Sequence, residues 1–260
     1  MRHQEVGAGR LDSPMARPLP SMTPWQDKWI RAAVLFLFVL LVSCRQTSAQ
    51  TFQFLPEVDA YYRIQPDIRF NFQAKETREA GNPTQAEIGP SFDFFLKPLI
   101  RLQDVTAFDL DDSKSRPLQL SIGYRYVPSP DKPTVQRGVL AATFHFPLRA
   151  RILLSDRNRF DLDWSNGQFT WRYRNRPTLE RRVKIGSYHP APYVSSEFYY
   201  QSQYHKFSTT ALYAGCLLPV GKHVEFDPYY DHQNITGKRP NQQLNQLGLV
   251  LNLYWQAVAK

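Results

Sequence analysis

The sequence predicts an all-β protein, an antiparallel transmembrane up-and-down β-barrel of 10–12 strands. Three observations lead there. Apolar and polar residues alternate through nearly all of the chain beyond Thr51, the alternating segments are ten or more residues long, and aromatic pairs recur near their ends. Alternation puts successive side chains on opposite faces of a strand. Globular strands average about five to six residues, whereas about ten, tilted, are needed to cover the roughly 25 Å apolar band of an outer membrane.

Composition is compatible with this and removes two other classes. The 260 residues are 42% hydrophobic and 14% aromatic, with a formal net charge of +9 and a mean hydropathy of -0.46. A polytopic helical membrane protein needs several runs of roughly 20 apolar residues, and so polar a chain has no room for them. The apolar content is too high for a chain disordered throughout. With 14 Tyr, 17 Phe and 5 Trp, and more Pro (20) than Gly (12), the bias is toward strands.

The first element is a secretory signal peptide, residues 1–49. An apolar run, Ala32 to Val42, follows Lys28 and Arg31 and precedes a polar stretch ending in Ser48-Ala49, the order of a basic, an apolar and a small-residue region. Cleavage is expected after Ala49. The basic region is long, so translation starting at Met15 or Met22 stays open. Leu41-Val42-Ser43-Cys44 also resembles a lipobox, and acylation of Cys44 is the alternative. Removing residues 1–49 leaves a domain of residues 50–260 with 26 basic and 20 acidic side chains, a net of +6, and Cys216 as its one cysteine. Neither an intramolecular disulfide nor a cysteine zinc site is then expected.

Eleven alternating segments follow, near 54–64, 67–77, 84–97, 116–127, 134–146, 149–164, 168–184, 191–202, 207–219, 222–233 and 242–255. In the first, Val58, Ala60, Tyr62 and Ile64 oppose Asp59, Tyr61 and Arg63. In the second, Ile68, Phe70, Phe72 and Ala74 oppose Arg69, Asn71, Gln73 and Lys75. Leu118, Leu120, Ile122, Tyr124 and Tyr126 alternate with polar residues in the fourth, and Val224, Phe226 and Tyr230 oppose Glu225, Asp227 and Asp231 in the tenth. Single-chain bacterial barrels have even strand numbers. The expectation is therefore ten strands, with one early segment not crossing, or twelve, with one long segment split.

The hairpin at Ser165-Asn166-Gly167-Gln168 exposes the faces. A two-residue Asn-Gly turn fixes the register, so Trp164 faces Phe169, Leu162 faces Trp171 and Phe160 faces Tyr173. On the other face Asp163 meets Thr170, Asp161 meets Arg172 and Arg159 meets Arg174. In a soluble barrel the apolar face points inward. In a membrane barrel it meets lipid and the charges line the lumen. Segment length and the pairs Tyr61-Tyr62, Tyr199-Tyr200, Tyr229-Tyr230 and Tyr254-Trp255 favour the second. A last strand that descends to the periplasm puts Asn166-Gly167 and the loop Asp231 to Asn241 outside, with the connections Gln103 to Ser115 and Arg181 to Pro192 inside.

The last segment, with Gln246, Gly248, Leu251, Leu253 and Trp255, resembles the carboxy-terminal assembly signal of bacterial outer-membrane barrels, from which Gln256 to Lys260 are a small departure. The resemblance implies recognition by the barrel assembly machinery. Trp171-Arg172-Tyr173-Arg174-Asn175-Arg176-Pro177-Thr178-Leu179-Glu180 and Ser195-Ser196-Glu197-Phe198, with the order of hairpins from about Phe54 to Trp255, resemble domain-of-unknown-function family 2490. That resemblance implies a bacterial outer-membrane barrel and brings no catalytic residue.

The candidate site is the charged face: Arg159, Asp161, Asp163, Arg172, Arg174, Arg176, Glu197, Glu225 and Asp227, with Arg69, Arg125, Asp59 and Asp93. It reads as a path or site for a small polar or anionic solute, or as a network of ion pairs packing a narrow barrel; packing is the expected reading. A lipid hydrolase would need a Ser activated by His. The sequence has no His-x-Ser; Ser187-Tyr188-His189 reverses the order in a connection, and His145 and His223 read as ordinary. Asp109, Asp111 and Asp112 lack calcium-loop spacing, no phosphate-binding loop occurs, and interleaved acids argue against nucleic acid. The expected function is therefore structural or passive solute transport or binding, in outer-membrane lipid, with no cofactor; the alternatives are a lipid-modifying enzyme and a soluble periplasmic binding barrel.

Overall fold

The computed structural model describes residues 50–96, 113–237 and 241–256. The expected signal peptide, with Cys44 and Ala49, and Asp109, Asp111 and Asp112 lie outside the described residues, as do positions 257–260.

Eleven strands form one closed barrel. They are β1 (Gln50–Gln65), β2 (Ile68–Glu79), β3 (Asn82–Leu96), β4 (Leu118–Ser129), β5 (Lys132–Leu148), β6 (Ile152–Ser165), β7 (Gln168–Arg181), β8 (Ala191–Gln201), β9 (Lys206–Val220), β10 (Val224–Ile235) and β11 (Gln242–Gln256). Each alternating segment of the sequence is one strand. The adjustment to ten or twelve is wrong, because all eleven belong to the ring. An odd number leaves the first and last strands running the same way, and the barrel closes on a parallel ladder from Gln50↔Gln243 to Arg63↔Gln256. Every other neighbouring pair is antiparallel.

The two mouths therefore differ in more than their loops. Gln50 shares one mouth with the turns β2–β3, β4–β5, β6–β7, β8–β9 and β10–β11, while Gln256 lies at the other. An even barrel would have put both ends at one mouth.

The β6–β7 turn shows how local residues set global orientation. Asn166 and Gly167 have φ of 50° and 74°, both left-handed, as a type I′ turn requires. The ladder above it pairs Trp164↔Phe169, Leu162↔Trp171 and Phe160↔Tyr173, with Asp161↔Arg172 and Arg159↔Arg174 between. Phe160, Trp164 and Phe169 are 44%, 49% and 52% exposed, while Asp161 is fully buried. Apolar side chains thus face outward and charges inward. The same holds around the ring for Phe72, Ile122, Leu140, Leu212 and Leu249, all exposed, against Arg69, Arg125, Arg137, Glu197 and Asn252, all buried. Among the described residues the alternating apolar face is not the one turned inward.

Interior packing is aromatic and polar. Tyr199, Ala211 and Tyr213 form a buried cluster joined by Tyr193 and Tyr229. The Tyr229 ring lies over Gly248, its cross-strand partner on β11, where a Cβ would collide with it. Glycine there is a packing requirement.

Candidate functional site

The interior faces of β6 and β7 bring most of the sequence-predicted site residues together. Asp161 accepts from Arg159 Nε at 2.6 Å and Arg172 at 3.0 Å, with Arg174 at 3.6 Å. Glu197 on β8, also fully buried, accepts from Arg174 at 2.9 Å and Arg176 at 3.1 Å, with Arg157 at 3.6 Å. The hydroxyls of Tyr199 and Tyr213 donate to the same carboxylate at 2.8 and 2.9 Å. Asp163 pairs with Arg137 at 2.6 Å and, more loosely, with Arg172 at 3.8 Å. Arg137 and Arg159 both reach Glu87 on β3, at 2.8 and 3.5 Å.

On this wall six arginines (137, 157, 159, 172, 174 and 176) share four carboxylates. Arg157↔Arg176 and Arg159↔Arg174 are direct cross-strand pairs. Like charges placed opposite one another are destabilising, so the intervening carboxylates are what make the ladder tolerable. The Arg176 guanidinium also sits 3.9 Å from the Tyr213 ring centroid, a cation–π contact.

Glu225 and Asp227 are not in this network. They lie on β10, across the ring, beside the acids of β1. Two rows run over β1, β11 and β10: Asp59–Asn252–Glu225 and Glu57–Val250–Asp227. Glu57 pairs with Lys75 at 3.2 Å. Asp59 accepts from the Tyr61 hydroxyl at 3.2 Å and Asp227 from the Tyr193 hydroxyl at 3.0 Å. Glu225 accepts from Asn252 and Tyr254. Arg69 bonds Asp93 at 2.7 Å, and Arg125 donates to Gln73 and the Pro90 carbonyl.

Between the two walls lies a cavity of about 450 Å³ to which every strand except β5 contributes a charged or phenolic side chain or an amide, β5 adding Thr143 and His145. The 3-10 turn Ser113–Ser115, just before β4, enters it from the Gln256 mouth. Its Lys114 Nζ reaches Glu180 on β7 at 2.8 Å.

Sequence reasoning did not single out Arg137, Arg157, Glu87 or the Lys114–Glu180 pair. The first three alternate onto the interior face and could have been found by extending the period. The lysine comes from a connection and carries no such signal. A Ser–His contact also forms without the motif sought for it: His145 Nδ1 is 2.8 Å from Ser155 Oγ, across the β5–β6 ladder. Both are buried inside the barrel, and no carboxylate meets His145 Nε2, so no third group orients the ring. Ser187 and His189 lie in the β7–β8 connection. Among the described residues no three His, Cys, Asp or Glu side chains are grouped to hold a metal ion.

The outer face carries a polar group, also unforeseen. Asp156, Asn158, Tyr173 and Asn175 alternate outward on β6 and β7. Asn158 Nδ2 and Asn175 Nδ2 donate to the Asp156 carboxylate at 3.0 and 2.7 Å. The Tyr173 hydroxyl and Asn175 Nδ2 donate to Asn158 Oδ1. The group satisfies itself amid apolar neighbours.

The residues of the expected assembly signal are divided by the strand. Gln246 points inward, donating to Gln53 on β1 and accepting from Gln233 on β10, both at 2.6 Å. Gly248 lies under Tyr229. Trp255 is exposed, while Leu251 and Leu253 are half-buried.

A family model described as "Protein of unknown function (DUF2490)" matches residues 52–244. The chain belongs to the DUF2490 family. The matched region holds β2 to β10 whole, and so both charged walls apart from Asn252 and its β11 neighbours. No curated protein matches the chain.

Proposed function

We propose that this protein is a bacterial outer-membrane barrel whose polar, largely ion-paired interior serves a structural role and the passive binding or passage of a small polar solute. The observation that carries this reading is the direction of the side chains: Phe160, Trp164, Phe169, Leu212 and their counterparts on every strand face outward, while carboxylates and guanidinia fill the inside. Exposing so continuous an apolar surface to water is what soluble proteins avoid, and lipid removes the difficulty. Strands of 11 to 17 residues suit the band.

Export through the signal peptide and insertion by the assembly machinery, guided by β11, belong to the same proposal. Strand β1 begins at Gln50, one residue past the expected cut after Ala49. If the Gln256 mouth faces the periplasm, the Asn166-Gly167 turn faces outside and so does the mature amino terminus.

The test is fractionation of cells producing the full chain, with gel mobility of heated and unheated samples. Tryptophan quenching by lipids brominated along the acyl chain adds a readout of side-chain direction. The expected result is recovery in the outer-membrane fraction, heat-dependent mobility and strong quenching of Trp164, Trp171 and Trp255. A soluble periplasmic protein, or one whose tryptophans ignore the bromine, refutes the reading.

A further inference from the structure

Arginines predominate on one wall and carboxylates on the other, and the cavity lies between them. Arg157, Arg159, Arg174 and Arg176 line one side, from two adjacent strands; Glu57, Asp59, Glu225 and Asp227 line the other, from β1 and β10. Every buried charge gains from a near opposite charge and loses from a like one. Here like charges face one another in cross-strand rows on each side, with Asp161 and Glu197 between the arginines and Lys75 beside Glu57.

Individual groups on both walls are left under-used. Arg157 is the least committed arginine of its wall. Its one carboxylate contact among the described residues is the 3.6 Å approach to Glu197, two other arginines already share that carboxylate, and Arg157 Nε has no hydrogen-bond partner. Asp59 is more than nine-tenths buried, lines the cavity, and has no partner on Oδ1. Neither Asp59 nor Asp227 has a cation in ion-pair range among the described residues; tyrosine hydroxyls hold both. Unsatisfied buried polar atoms are costly, and a ligand carrying both charges meets them together.

We propose that the cavity is a binding site for a small organic zwitterion, whose anionic group docks on Arg157 beside Arg176 and whose ammonium group docks between Asp59 and Asp227. The volume of about 450 Å³ is in the range of small-molecule sites. A simple anion would leave the carboxylate wall unmet, and a simple cation the arginine wall. The inference deepens the solute-binding part of the proposed function and rests on it.

The test is calorimetric titration of the full chain, purified in detergent, with 6-aminohexanoate and 8-aminooctanoate against hexanoate and hexylamine. At least one of the two zwitterions is expected to bind about tenfold or more tightly than both single-charge controls, the worth of one added ionic contact. Asp227→Asn and Arg157→Gln should each remove that preference, and circular dichroism and heat-dependent mobility of both variants show whether the barrel is intact. Equal binding of hexanoate, or no binding of either zwitterion to the intact protein, overturns the proposal. Fractionation is read on the same material, so a misplaced membrane assignment shows there, separately from a misassigned ligand.

Discussion

Glu197 is where a single change should cost most. It is fully buried and takes three arginines and two tyrosine hydroxyls at once. Glu197→Gln removes the charge and keeps the shape. Its three arginines do not lose equally. Arg174 keeps Asp161 at 3.6 Å, and Arg157, whose side chain is 33% exposed, is partly screened. Arg176 loses its only carboxylate among the described residues and is left with the Tyr213 ring. Removing one partner of a buried ion pair costs about 3–5 kcal/mol, and the amide oxygen retains part of the tyrosine bonding, so a loss of about 3 kcal/mol is expected. Adding Arg176→Gln removes the stranded charge, and the double variant should lose less than the sum of the singles by about 1–3 kcal/mol. Urea unfolding in lipid vesicles, followed by tryptophan fluorescence and heat-dependent mobility, measures both. A single-variant loss below about 1 kcal/mol, or strict additivity, would show that the ladder is ornamental to stability.

Three further outcomes are expected. Replacing Asp156, Asn158 and Asn175 together by Val should raise stability in vesicles by about 1–2 kcal/mol, since it removes a carboxylate from the apolar band along with the amides it would strand; a destabilised triple variant contradicts an outer face in lipid. Gly248→Ala should cost about 1–3 kcal/mol by driving a Cβ into the Tyr229 ring, and Tyr229→Leu in the same chain should recover part of it, as read by urea midpoint. An epitope inserted after Gln50 should be labelled on intact cells while one after Gln256 is labelled only after lysis, because the parallel pairing puts these residues at opposite mouths; labelling of both, or of the second alone, refutes the proposed orientation.

Much of the fold was legible because its information is local. Alternation in Ile68 to Lys75 or Leu118 to Tyr126 needs no partner to be read, and Asn166-Gly167 alone fixed the register of the longest charged ladder. Strand number was spoiled by applying a rule about bacterial barrels over a direct count, since nothing in the residues of β1 announces a parallel neighbour. The site was legible as a face and not as a set of contacts. Glu225 and Asp227 share the inward direction of Arg174, yet they stand on the opposite wall, and ring position depends on closure. The Asp156 group was missed for the reverse reason: its polar residues continue the outward period of Phe160 and Leu162, where the eye expects only apolar ones.

The seam between β1 and β11 has a kinetic consequence. Each antiparallel pair but one can form across a connection of at most some ten residues, whereas Gln246 bonds Gln53 across 193 positions of chain. The entropy of closing a loop grows as about (3/2)RT ln n, so closing the seam costs about 4 kcal/mol more than closing a two-residue turn if the chain between is flexible. Formation of the hairpins first shortens that effective loop, and the last pairing then joins two edges of an already curved sheet. The ring should therefore zip up from many local beginnings and lock once, at its least local contact. Until that contact forms, the sheet presents two bare edges, of β1 and of β11, each able to accept a foreign strand.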